Sequence, residues 1–194
     1  MKEVSDDKQL GRLTLMHRNA LRLLNLVNQL LDFRKSEVAG LHLTPAEGDI
    51  VAFVRHICAS FLMLSEKKNI HLTFYSAVES LNMLFDEDKM GKVVMNLLSN
   101  AFKHTPYNGA VSLTIRSDSG KLLISASNDS VGVNLEDIEA IFDRYRVLDY
   151  FERKSERGLS FQGDLRLAIC HSIVVRMQGE IKVESTPNAQ TTFT

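Results

Sequence analysis

The sequence predicts an α+β protein, a two-layer sandwich of helices on a mixed β-sheet preceded by one long bundle helix. Three observations lead there. Residues 10–31 carry a mostly apolar set at alternating steps of three and four, which is a helix seam and not a strand alternation. Beyond residue 40, strand-like and helix-like segments are intermixed with hairpin pairs and show no regular strand–helix alternation, which disfavours a doubly wound sheet. The segment 86–104 combines a buried apolar set with a polar stripe at helical spacing, a helix lying on a core with one face left for other work.

The elements follow in order. Residues 7–39 read as one long helix whose seam is Leu10, Leu13, His17, Ala20, Leu24, Val27 and Leu31, widened by Leu21, Leu23 and Leu30, with Gly40 as its stop. Such a broad apolar face requires a partner. LHLT (41–44) alternates as a short strand. Asp49 is placed to cap a helix running to residue 68, with Ile50, Phe53, Val54, Ile57, Phe61 and Leu64 inward. Ile70, Leu72 and Phe74 alternate as a half-buried strand, and residues 86–104 form the next helix. Val111, Leu113 and Ile115, then Leu122, Ile124 and Ala126, give two strands joined at Ser119-Gly120, a hairpin signal. A short helix is expected over 135–142 and a charged irregular loop over 148–161. A helix over 164–177 precedes Gly179, residues 181–183 alternate as a strand, and TTFT (191–194) reads as a strand cut short.

Composition narrows the function classes. The 194 residues are 44% apolar and 24% charged, the balance of a soluble globular chain, and the net charge of −1 provides no basic field for nucleic acid or an acidic membrane. Cys58 and Cys170 both sit in apolar helical patterns; buried free thiols in a reducing compartment are favoured over a disulfide. No apolar run approaches the roughly 20 residues needed to span a bilayer, so direct membrane contact is not expected here. His42, His56, His71 and His171 are scattered without metal-ligand spacing, and no Ser-His-Asp, zinc or paired-carboxylate constellation stands out.

The strongest local feature is NLLSNAFKHT (96–105). Val93, Val94, Leu97, Leu98 and Ala101 supply a buried face, while Asn96, Asn100, Lys103 and His104 recur at i, i+4, i+7 and i+8 on another. Asparagine is a poor helix former, so a mid-helix stripe of two is costly without a use. A carboxamide oxygen suits Mg²⁺ that also bridges phosphates, and a lysine can meet phosphate charge directly. From spacing alone, a solvated face that happens to hold asparagines stands beside that reading.

The segment closely resembles the N box of sensor histidine kinases, members of the ATPase superfamily that also holds gyrase, Hsp90 and MutL. RNALRLLNLVNQLLDFRKSE (18–37) resembles the second helix of their dimerisation hairpin, particularly in hybrid sensors of Bacteroides-like bacteria. IFDRYRV (141–147) resembles the F box, and LAICHSIVVRMQGEIKVES (167–185) the last helix and strand pair. The resemblance implies part of the dimerisation hairpin over 1–40 and an ATPase-like catalytic domain, truncated at its end, over 41–194. It implies ATP and Mg²⁺ as cofactors, with Asn96 on the metal, Asn100 and Lys103 at the phosphates and His104 flanking the nucleotide. It further implies a homodimer through the N-terminal helix, a response regulator receiver domain as partner, no nucleic acid, and a cytoplasmic position in a membrane-anchored sensor.

Two motifs depart from the family pattern. The G1 box, Asp-x-Gly-x-Gly, corresponds to Asn128-Asp129-Ser130-Val131-Gly132, so a neutral acceptor replaces the carboxylate that meets the adenine amino group, and Ser130 replaces a glycine. A shift of one residue would instead bring Asp129 into that role. The glycines of the G2 box fall on Gln162, Asp164 and Arg166, with Gly163 out of register. Asp164 is then a carboxylate near the phosphate path or simply the N-cap of the next helix, the favoured role. The phosphoacceptor motif is absent, and His17 on the helix seam reads as a packing residue. Three functions follow: a kinase domain presenting ATP to a histidine on another helix, a degenerate signal relay with weak or no ATP binding, and, disfavoured by the hairpin helix, a mismatch-repair or gyrase-type module. The nucleotide-binding candidates are therefore Asn96, Asn100, Lys103, His104, Asn128, Gly132 and Gly163.

Overall fold

A computed structural model describes residues 10–17, 19–20, 24, 42–130, 132, 165–186 and 189–194. The chain divides into two compact units, Met1–Leu41 and His42–Thr194. In the first, residues 10–17, 19, 20 and 24 are helical, in keeping with the heptad-like seam, and Leu10, Leu13 and Leu24 are exposed. The rest of the predicted helix and Gly40 lie outside the described residues.

The second unit runs β1 (Ala46–Asp49), α1 (Ile50–Ala59), α2 (Leu62–Lys68), β2 (His71–Ser76), β3 (Asn82–Phe85), α3 (Glu87–His104), β4 (Ala110–Asp118), β5 (Lys121–Asp129), α4 (Leu165–Arg176), β6 (Val183–Thr186) and β7 (Gln190–Phe193). A five-stranded sheet has the order β2-β4-β5-β7-β6, with β2 parallel to β4 and the other pairs antiparallel. A separate antiparallel pair joins β1 to β3. Helices α1, α2 and α3 pack on the large sheet, and α4 packs against α3. This is the predicted α+β layering of helices on a mixed sheet.

Period-two alternation sorts the strands into faces. Val111, Leu113 and Ile115 of β4, Ala126 of β5 and Phe193 of β7 are buried with Ile50, Val54, Val94, Leu98 and Phe102 of the helices. Hydroxyls pair on the other face: Ser127 Oγ meets Thr192 Oγ1 at 2.8 Å and Ser125 Oγ meets Thr194 Oγ1 at 3.0 Å. The β4–β5 hairpin turns at Ser119 (φ 49°) and Gly120 (φ 79°), two left-handed residues in succession, as a tight hairpin requires.

Three sequence expectations are corrected. The strand placed at 41–44 lies instead at Ala46–Asp49; residues 42–45 are irregular because the Thr44 N–H and hydroxyl both turn to the Asp86 carboxylate, at 2.8 and 3.2 Å. The helix placed over 49–68 is two helices. Ser60 Oγ bonds back to the Ile57 carbonyl at 2.7 Å, which ends α1, and Phe61 stacks on Phe102 with centroids 5.4 Å apart. The strand placed at 181–183 begins at Val183, although Lys182 exchanges both backbone hydrogen bonds with Thr194. The short strand β3 carries no alternation long enough to reveal it. The helix expected over 135–142 and the loop over 148–161 lie outside the described residues.

Candidate functional site

The α3 helix is well specified at both ends. Asp86 caps it, accepting the Lys89 N–H at 3.0 Å, with Glu87 and Asp88 in the first turn and Lys103 and His104 in the last, each sign opposing the local end of the helix dipole. Asp86 itself is only 2% exposed. Burial alone would raise its pKa, but the Thr44 and Lys89 N–H groups, the Lys89 charge and the Thr44 hydroxyl outweigh that and hold the carboxyl below its ordinary value.

The polar stripe of α3 is not one solvated face. Lys103 and His104 are exposed, Asn96 is half-buried, and Asn100 is 9% exposed among Val93, Leu97, Ala101 and the rest of the core set. Asn96 Nδ2 donates to Cys170 Sγ of α4 at 3.6 Å, and among the described residues nothing donates to its Oδ1. The Asn100 carboxamide makes no hydrogen bond with any described residue. Asn100 is not among the wholly buried polar groups left without a partner, so its carboxamide still reaches solvent and stays open to water or a ligand. The bland reading of the stripe as a solvated surface nonetheless does not hold for Asn100, which is mostly buried.

The chain leaves α3 at Thr105, whose hydroxyl bonds the Ala101 carbonyl at 2.7 Å, and reaches β4 through residues 105–109. Gly109 is required there: a Cβ would stand 2.7 Å from Thr105 Cγ2 and 3.1 Å from the Pro106 carbonyl oxygen. This short link sets the C-terminal turn of α3 at the same end of the sheet as the start of β4, which lies across from the end of β5. Asn128 is at that end, paired with Val111 and with Thr191 of β7, and 3% exposed. Its Nδ2 donates to the Asp129 carbonyl at 2.9 Å, and among the described residues Oδ1 receives no bond. Asp129 is committed elsewhere, its carboxylate accepting the Ala110 N–H at 2.8 Å. The one-residue shift that would substitute Asp129 for Asn128 therefore breaks an existing bond to the neighbouring strand.

Beyond Asn128 the backbone leaves the sheet. Ser130 Oγ meets Thr191 Oγ1 at 2.7 Å and accepts the Gly132 N–H at 3.2 Å, and Gly132 adopts φ 90°, open to glycine and strained for other residues. On α4, Arg166 Nη1 donates to Ser99 Oγ at 3.2 Å, and Cys170 is fully buried against α3. Gln162, Gly163 and Asp164, including the proposed N-cap, lie outside the described residues. Sequence reasoning missed Ser99 and Thr191, since a serine among apolar residues and a threonine in a Thr-Thr pair carry no spacing signal. Cys58 and Cys170 are both buried thiols outside any disulfide, and burial raises the Cys58 thiol pKa. Among the described residues no three His, Cys, Asp or Glu side chains come together to hold a metal, so a cation here would rely on amide oxygen and on oxygens its own ligand brings.

Comparison with known proteins shows the family. A family described as histidine kinase-, DNA gyrase B-, and HSP90-like ATPase matches residues 85–194. The chain is 31% identical to Histidine kinase P4 of Formosa agariphila over 96% of its own length and 14% of that protein's. It is also 31% identical to Sensor histidine kinase RcsC of Escherichia coli, over 93% of this chain and 19% of the relative. The chain thus spans less than a fifth of the curated relatives it matches. In three dimensions it superposes on full-length ShkA, solved in complex with AMPPNP, with a TM-score of 0.79 at 24% identity, covering 96% of this chain and 38% of that one.

Proposed function

The chain belongs to the histidine kinase-, DNA gyrase B- and HSP90-like ATPase family, with sensor histidine kinases as its relatives, and we propose that it binds Mg-ATP as the kinase domain of a cytoplasmic two-component sensor. The observation that carries this is Asn100, a mostly buried mid-helix residue whose carboxamide bonds no described residue and stays open to a ligand. The residues present fit the nucleotide. Asn96 offers an open amide oxygen for Mg²⁺, and Asn100 and Lys103 lie one and two turns further along for phosphate oxygens, with His104 beside them. Asn128 keeps its donor on the Asp129 carbonyl, which leaves its acceptor for the adenine amino group. Gly132 and Gly163 are the glycines left for close backbone approach.

Bound Mg-ATP supplies the phosphoryl group, for transfer to a histidine on a hairpin helix outside these residues. The protein's part is to position and to spread charge, as phosphoryl transfer requires. Dimerisation through the N-terminal helix and a response regulator receiver domain as acceptor complete the reading. A degenerate relay is the second reading, favoured by the neutral Asn128 where a charged acceptor would bind roughly twice as strongly.

Isothermal titration with a non-hydrolysable ATP analogue separates them. Binding that depends on Mg²⁺, is lost in Asn100→Ala and tightens in Asn128→Asp is the expected result. Absence of heat at millimolar analogue would give the relay reading the field.

A further inference from the structure

One residue that departs from the family's G1 pattern is Ser130, which stands where that pattern has a glycine. Its hydroxyl is not idle. It lies 2.7 Å from Thr191 Oγ1, while the Ser130 N–H donates to the Ala189 carbonyl at 3.3 Å and the hydroxyl oxygen accepts the Gly132 N–H at 3.2 Å. Thr191 is 4% exposed and its Oγ1 is also 2.8 Å from Ser185 Oγ on β6. One hydroxyl has one donor and two acceptor sites. If Ser130 donates to Thr191 and Thr191 to Ser185, both are satisfied, and a Ser130 lone pair remains for the Gly132 amide.

From this geometry we infer that Ser130 is a positioning residue for the nucleotide site, tying Gly132 to strands β7 and β6 through its hydroxyl; the inference rests on the ATP-binding reading above. Thr191 is also the cross-strand partner of Asn128, so the same β7 residue lies opposite the residue offered to the base and bonds the Ser130 hydroxyl. A glycine at 130 makes neither side-chain bond. The substitution is therefore a brace on a loop that glycine would leave looser. It holds Gly132 at a positive φ before any ligand arrives, and binding then costs less ordering.

The test uses the whole 194-residue chain. In the ligand-free protein, Ser130→Ala should speed amide hydrogen exchange at Gly132 by about tenfold, the scale of one neutral hydrogen bond. The same variant should weaken the Mg-bound ATP analogue by about tenfold in titration calorimetry, and Ser130→Thr, which keeps the hydroxyl, should restore both. Unchanged Gly132 exchange in Ser130→Ala overturns the brace. Faster exchange with unchanged affinity overturns the positioning role. A wild-type protein that binds no analogue overturns the ATP-binding reading and the positioning role with it, while Gly132 exchange still reports separately whether the hydroxyl holds the turn.

Discussion

At the scale of single residues, Asp86 joins three parts of the second unit. Its carboxylate accepts from the Thr44 N–H, the Thr44 hydroxyl and the Lys89 N–H, so it fixes the entry to β1, caps α3 and is almost wholly buried. Removing it in Asp86→Ala leaves those donors unmet and the helix uncapped, and should cost about 2–4 kcal/mol in urea unfolding. The sign of its pH dependence follows from its lowered pKa. A carboxyl whose folded pKa lies below the unfolded value of about 3.9 stabilises the fold above that value and loses the contribution as pH falls through the folded pKa. The urea midpoint should therefore fall below about pH 4, and less steeply in Asp86→Asn. The cap of α3 was legible as an aspartate before a helical run. Its reach to Thr44 was not, because forty-two positions separate them and nothing local marks the contact.

At the scale of elements, α3 is the helix on which core and candidate site both depend. Its buried side holds Val94 and Leu98, each fully buried, and its other contacts meet α4 through Asn96–Cys170 and Ser99–Arg166. Leu98→Ala should cost about 2–5 kcal/mol, measured by denaturant unfolding, because the cavity opens where the helix layer meets the sheet. The apolar set of α3 was readable from its 3.6-residue period, and all five of its predicted core residues are buried. The break between α1 and α2 was not readable, since Ser60 and Phe61 fit a continuous helix as well as an interrupted one. Phe61, at the junction of the two helices, stacks on Phe102, a tertiary gain that local propensity does not contain. The β1–β3 pair escaped for a related reason: four residues each give too little alternation, and only their pairing defines them.

At the scale of the whole molecule, the N-terminal unit and the ATPase-like unit are separate bodies. The exposed Leu10, Leu13 and Leu24 lie on a helical seam that water does not favour leaving open. Sedimentation should show concentration-dependent self-association of the chain, and Leu13→Asp together with Leu24→Asp should return it to monomer; a strictly monomeric wild type at high concentration counts against the seam. The fold class, the order of most elements, the asparagine stripe and the departures at Asn128 and Ser130 were determined by the sequence itself, because helical and strand periods and residue chemistry are local properties. Only the tertiary structure decided that Asn100 is mostly buried yet keeps its carboxamide open, that Asp129 is committed to Ala110, and that Ser130 is tied to Thr191. Each of those rests on strands and helices distant in sequence meeting at one end of the sheet, and burial and hydrogen-bond satisfaction are properties of that meeting.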